Sequence, residues 1–194
     1  MKVIFLFGPQ AVGKMTIGEI LSKELELPLL FNHMTLDVIA PFLGWTEKTF
    51  EMSNQLRKDI FREVVAQKDN NGLIFTFVWA LDHKEDCEEV ERFKRIFTDS
   101  GIDVLFVELE TTLKERLRRN QSENRLAKKP SKRNVKQSEE ELLTSNQKYR
   151  LNSLPGEIKE PYYFRLDVTN ISAEEAARKI IMENQLYLKT GCSE

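Results

Sequence analysis

Five consecutive apolar residues, Val3 to Phe7, run directly into Gly8-Pro9-Gln10-Ala11-Val12-Gly13-Lys14-Met15-Thr16, and this junction limits the fold of the chain more than any other feature. An unbroken apolar run bounded by Gly-Pro marks a strand buried on both faces rather than an alternating edge strand. Gly8, Gly13 and Lys14 then fall at the GxxxxGK spacing of a phosphate-binding loop. The glycines let the backbone curl until successive amides point inward, where they meet phosphate oxygens, and the lysine ammonium offsets charge on the outer phosphates. A helix opening at the lysine adds the positive end of its dipole. Strand, loop and helix in this order predict a phosphate-binding unit with Gly8 through Thr16 as its contact residues.

The remaining chain repeats the strand-then-helix rhythm. Further apolar runs lie at Leu29 to Phe31, Leu73 to Trp79, Val104 to Val107 and, more weakly, Tyr163 to Val168, separated by long polar stretches with helical periodicity. Ile17, Leu21 and Leu25 recur every four residues after the loop; Phe50, Leu56, Ile60, Phe61, Val64 and Val65 line a longer helix that Asn70-Asn71-Gly72 stops. Capping boxes are expected at Asp82 with Glu85, Ser138 with Glu141, and Ser172 with Glu175. Strands alternating with helices give a parallel sheet covered on both faces. The expected fold is therefore α/β, three layers around a sheet of five parallel strands, with at least six helices.

The chain has 194 residues, 41% hydrophobic and 31% charged, enough for one substantial core and a single domain over 1–194. A net charge of −2 gives no global attraction for nucleic acid or an anionic membrane, and no apolar stretch approaches the length of a membrane span. Cys87 and Cys192 stand alone, with no second cysteine nearby to make a metal knuckle or redox pair, which reads as a reducing cytoplasm.

The residue after Lys14, ordinarily a Ser or Thr whose hydroxyl holds Mg²⁺, is Met15, and Thr16 follows it. A thioether is a poor ligand for a hard cation. On Gly8, Gly13, Lys14 and this GK-x-T ending, the sequence resembles the adenylate kinase and shikimate kinase-like group of P-loop small-molecule kinases. The resemblance covers nearly the whole chain in element order, but only the loop is motif-specific. It implies ATP as phosphoryl donor, Thr16 against a phosphate, and Mg²⁺ held mainly through water and phosphate oxygens, with no protein metal ligand assigned.

Charge is distributed unevenly. Residues 113–136 hold ten basic side chains and two acidic ones, a local charge of +8, so the rest of the chain carries −10. In the resembled kinases the segment after the fourth strand forms a mobile lid whose arginines clamp phosphates and whose closure excludes water. Here Arg116 and Arg119 would share one helix face, with Arg125 on the mobile part. The same charge would suit an RNA or DNA surface, but the segment contains no aromatic residue to stack on a base.

Ligands of open parallel sheets bind beyond the carboxyl ends of the strands. The second strand leads into Asn32-His33-Met34-Thr35-Leu36-Asp37, where His33 or Asp37 would anchor an acceptor hydroxyl or take its proton. The third strand carries no carboxylate; Glu108, after the fourth, and Trp79 are weaker candidates for metal and pocket wall. The paired carboxylates that shikimate kinases place after the second strand, and their glycine-rich turn after the third, are absent, as is the Asp-Arg signature of nucleoside monophosphate kinases. The expectation is an ATP-dependent phosphotransferase acting on a hydroxyl of a small molecule, monomeric or homodimeric, its acceptor unassigned. A non-catalytic ATP-binding module and a polynucleotide-directed kinase stay open as alternatives.

Overall fold

The computed structural model describes residues 1–121 and 134–189. Five strands, β1 (Lys2–Phe7), β2 (Leu29–Phe31), β3 (Gly72–Phe77), β4 (Val104–Glu110) and β5 (Tyr163–Asp167), pair in the order β2-β3-β1-β4-β5. Every pairing is parallel, as the alternation of strands and helices predicts. The helices are α1 (Lys14–Leu25), α2 (Asn32–Leu43), α3 (Glu47–Ala66), α4 (Lys84–Thr98), α5 (Leu113–Asn120), α6 (Val135–Lys148), α7 (Ala173–Glu183) and α8 (Gln185–Lys189). None of them is long and apolar enough to cross a membrane.

The central strand explains why its sequence is apolar without a break. Successive side chains of a strand point to opposite faces. Ile4 and Leu6 therefore enter one core with Ile17 and Leu21 of α1 and Ala176, Ala177 and Ile180 of α7. Val3, Phe5 and Phe7 enter the other, with Phe61 of α3 and Phe93 and Phe97 of α4. Phe5 lies between Phe75 and Phe106 in register and has five aromatic rings within 6.1 Å of its own. Mostly edge-on contacts of this kind add to simple area burial. Trp79, weighed as a pocket wall, joins this core against Phe7, Phe77 and Phe106.

Helix starts are set by side-chain acceptors, though not always the expected ones. Ser172 accepts the Glu175 amide at 3.1 Å, as predicted. Asp82 does not cap α4, whose N-cap is His83; its carboxylate instead accepts the Arg150 amide at 2.9 Å and ties the 149–153 segment to the β3–α4 turn. Ser138 does not open α6 either. Asn134 does, accepting from Gln137 at 3.2 Å, while the buried Ser138 hydroxyl faces Asn120 Oδ1 at 3.0 Å and joins α6 to α5. Both expectations failed because a long-range partner competes for the same oxygen.

Candidate active site

The loop after β1 is held close to the sheet. Gly8 has φ +143° and sits so near β4 that an added Cβ would come within 2.3 Å of the Leu109 carbonyl oxygen. Ala11 occupies the left-handed region at φ 61°, an uncommon conformation for a residue with a side chain. Gly13 is the N-cap of α1 and no side chain caps that end. The first-turn amides of α1, together with the helix dipole, thus make an electropositive end. Lys14 folds back over the loop, its Nζ donating to the carbonyls of Gly8 (2.5 Å) and Pro9 (2.7 Å).

In front of the loop lies a cavity of about 820 Å³ whose wall includes Gln10 through Ile17, with Met15 and Thr16 among them. Gly8 and Pro9 are not on this wall and contribute through their carbonyls. On the β2–β3 side the cavity is lined by Phe31, His33, Trp45, Phe50 and Val78; on the β5 side by Val168, Ile171 and Ser172, with Arg119 beside them.

Of the three arginines expected to close over the phosphates, Arg116 and Arg119 are described, and they are placed differently. Arg119 reaches the wall: it donates to Val12 O and Val168 O, both at 2.7 Å, and to Glu115 at 2.7 Å. One guanidinium thus joins the loop, α5 and the segment after β5. Hydrogen bonds from Arg118 and Arg119 hold the Glu115 carboxyl down at about 2. Arg116 is only 3% exposed and is not on the wall. It lies behind the loop, donating to Gln10 O at 2.8 Å, to Gln10 Oε1 at 3.3 Å and to Asn146 Oδ1 at 2.7 Å; burial pulls its pKa down to about 10. Arg125, and residues 122–133 of the expected lid, lie outside the described residues.

His33, in the first turn of α2, is on the cavity wall, and Asp37, one turn later, is not on the wall but lies 3.5 Å from His33 Nδ1. The His33 ring also meets Trp45 edge-on at 6.4 Å. Behind them is Arg57, a residue the sequence reading passed over. It is 6% exposed and donates to Thr35 Oγ1 (3.0 Å), Asn32 O (2.8 Å) and Asn54 Oδ1 (2.8 Å), pinning α3 to the start of α2; burial lowers it to about 10. Its flanking residues give it the pattern of an ordinary solvated helix arginine, so periodicity alone carried no signal.

Glu108 is fully buried at the end of β4 and off the cavity wall. It accepts from the Ser153 amide (2.9 Å) and hydroxyl (2.6 Å), Asn152 Nδ2 (2.7 Å) and the Tyr163 hydroxyl (2.6 Å). Burial and this carboxylate push the Tyr163 phenol up to about 12. The neighbouring Leu109 carbonyl is the one against which Gly8 packs. No group of three or more His, Cys, Asp and Glu that could hold a metal occurs among the described residues. Thr16 and Asp86 offer oxygen donors on the wall, a sparse set that fits a hard cation bound largely by phosphate oxygens and water.

No family model matches the sequence, and no curated protein matches it. Solved structures do resemble it in fold. APS kinase of Mycobacterium tuberculosis, solved with AMPPNP and APS, superposes with a TM-score of 0.56 at 17% identity, covering 95% of this chain and 97% of that one. A gluconokinase of Sinorhizobium meliloti gives 0.58 at 13% identity over 97% of both chains. Shikimate kinase of Acinetobacter baumannii, in complex with shikimate, gives 0.52 at 19% identity, covering 100% of this chain and 96% of that one. The chain has the fold of the P-loop kinases: a five-stranded parallel sheet with helices on both faces, and a glycine-containing loop between the central strand and α1.

Proposed function

We propose that this protein is an ATP-dependent phosphotransferase that moves the γ-phosphate to a hydroxyl of a small molecule. The observation that carries the reading is that one cavity holds both the phosphate-binding loop and, on the side of β2, a histidine backed by a carboxylate. Phosphoryl transfer asks little covalent chemistry of a protein and much positioning and charge stabilisation. The loop amides and Lys14 would receive the β- and γ-phosphates, Thr16 would contact a phosphate, and Arg119 would hold the loop against the nucleotide side. Arg116 is better suited to fixing Gln10 from behind than to touching phosphate, because its donors are already engaged. Mg²⁺, held mainly through water and phosphate oxygens, would offset charge on the transferring group. His33 would accept the hydroxyl proton, with Asp37 orienting its ring. The reducing cytoplasm and a monomer or homodimer remain part of the reading.

The test is ADP release measured over a panel of hydroxylated metabolites, nucleosides and short RNAs with ATP and Mg²⁺. Acceptor-dependent ADP release with a small alcohol supports the proposal. ATP binding without acceptor-dependent release from any member would replace it with a non-catalytic module. Release with RNA alone, falling steeply with salt, would replace it with a polynucleotide kinase.

A further inference from the structure

The acceptor half of the cavity has a chemical character of its own. The loop stands at the end of the central strand, so the cavity divides into a part over β4 and β5, beside Arg119 and Val168, and a part over β2 and β3, beside His33. The cations on the wall, among the described residues, are Lys14 in the loop and Arg119 on the β5 side. The β2–β3 part has no lysine or arginine among the described residues. Arg57 is close in sequence to this wall but does not line it, and its guanidinium is spent on Thr35, Asn32 and Asn54. Acidic residues of the wall are Asp86 and Glu141, and Asp37 stands behind His33. What this part offers instead is aromatic surface. Trp45 and Phe50 pair at 6.3 Å and are about half exposed, an unusual degree for large aromatics that have a wall to complete.

From this lining we propose that the acceptor is an alcohol with an aromatic or otherwise apolar body and no anionic group. The proposal rests on the kinase reading and narrows its substrate class. A carboxylate or phosphate moved into this half would lose hydration and gain no lysine or arginine among the described residues in exchange, next to existing negative charge. A flat apolar body would cover Trp45 and Phe50, leaving its hydroxyl to His33.

The experiment uses benzyl alcohol and 4-(hydroxymethyl)benzoate, matched probes that share one primary alcohol, with shikimate added as a carboxylated, non-aromatic secondary alcohol. Binding is measured by calorimetry with AMPPNP present, and turnover by ADP release with ATP. Benzyl alcohol is expected to surpass both carboxylates by about tenfold or more in affinity and in kcat/KM. Trp45→Arg, at an exposed position, is expected to reverse the preference toward 4-(hydroxymethyl)benzoate; Phe50→Lys provides the same test should the first variant fold poorly. Robust ADP release with shikimate or the benzoate in preference to the neutral alcohol overturns the proposal and leaves the kinase reading standing. Selective binding of the neutral alcohol without ADP release from it or any other alcohol supports the recognition chemistry and removes the kinase reading. Equal binding of all three probes overturns the proposal.

Discussion

The Lys14 ammonium rests on two carbonyl oxygens of its own loop, Gly8 and Pro9. Phosphate oxygens would take over those contacts with full negative charge, so the exchange favours the nucleotide. Lys14→Ala should therefore lower ADP release by about 10²–10³-fold, on the scale of losing one oxyanion donor, while circular dichroism and the melting temperature stay near wild type. Arg119 makes its three contacts through a planar fork, and a lysine cannot reproduce them. Arg119→Lys should weaken ATP binding, by calorimetry, nearly as much as Arg119→Ala; full retention by the lysine variant would reduce Arg119 to a point charge. At this scale the sequence was legible where spacing is the signal, as with Gly8 and Gly13, which take positive φ in the tight connection between β1 and α1. It was silent where burial is the signal. Arg116 and Arg119 look alike in a basic stretch, and only packing separates the one behind the loop from the one beside the cavity.

At the scale of elements, α5 carries the connection between charge and loop position. Its Thr112 cap accepts the Glu115 amide at 3.2 Å, and the Glu115 carboxylate in turn holds Arg119. A carboxyl at about 2 in the folded chain and 4.5 ordinarily binds its proton less readily when folded, so it contributes stability above pH 4.5 that fades as pH falls toward 2. The denaturation midpoint of Glu115→Gln should accordingly lie below wild type at pH 7, and the two should converge as the pH approaches 2. Glu108 is a second such joint, between β4, β5 and the 152–153 turn. Its removal leaves several buried donors without an acceptor, and Glu108→Ala should cost about 3–5 kcal/mol in urea unfolding. Strands β1, β3 and β4 were legible because each is a long apolar run; β5, with Arg165 and Asp167 among its five residues, gave the weakest signal. Helix starts were legible only where the cap is local, as at Ser172; Asp82 and Ser138 are drawn away by Arg150 and Asn120, which no spacing rule could reveal.

The whole molecule is organised around β1, whose alternating residues feed both cores and whose end becomes the loop. Replacing the residue at its centre, Phe5→Ala, should cost about 3–5 kcal/mol and lower the melting temperature without altering the order of strands. This strand is also grasped from far away in sequence. The hydroxyl of Tyr187, in α8, accepts the Val3 amide at 2.8 Å and shares its hydrogen between the carbonyls of Val3 (2.7 Å) and Asp103 (2.9 Å). During synthesis the first strand leaves the ribosome more than 180 residues before the side chain that completes its bonding. The nascent chain must therefore carry an unfinished central strand until Tyr187 has emerged, and this fold closes late, from α8 back onto β1.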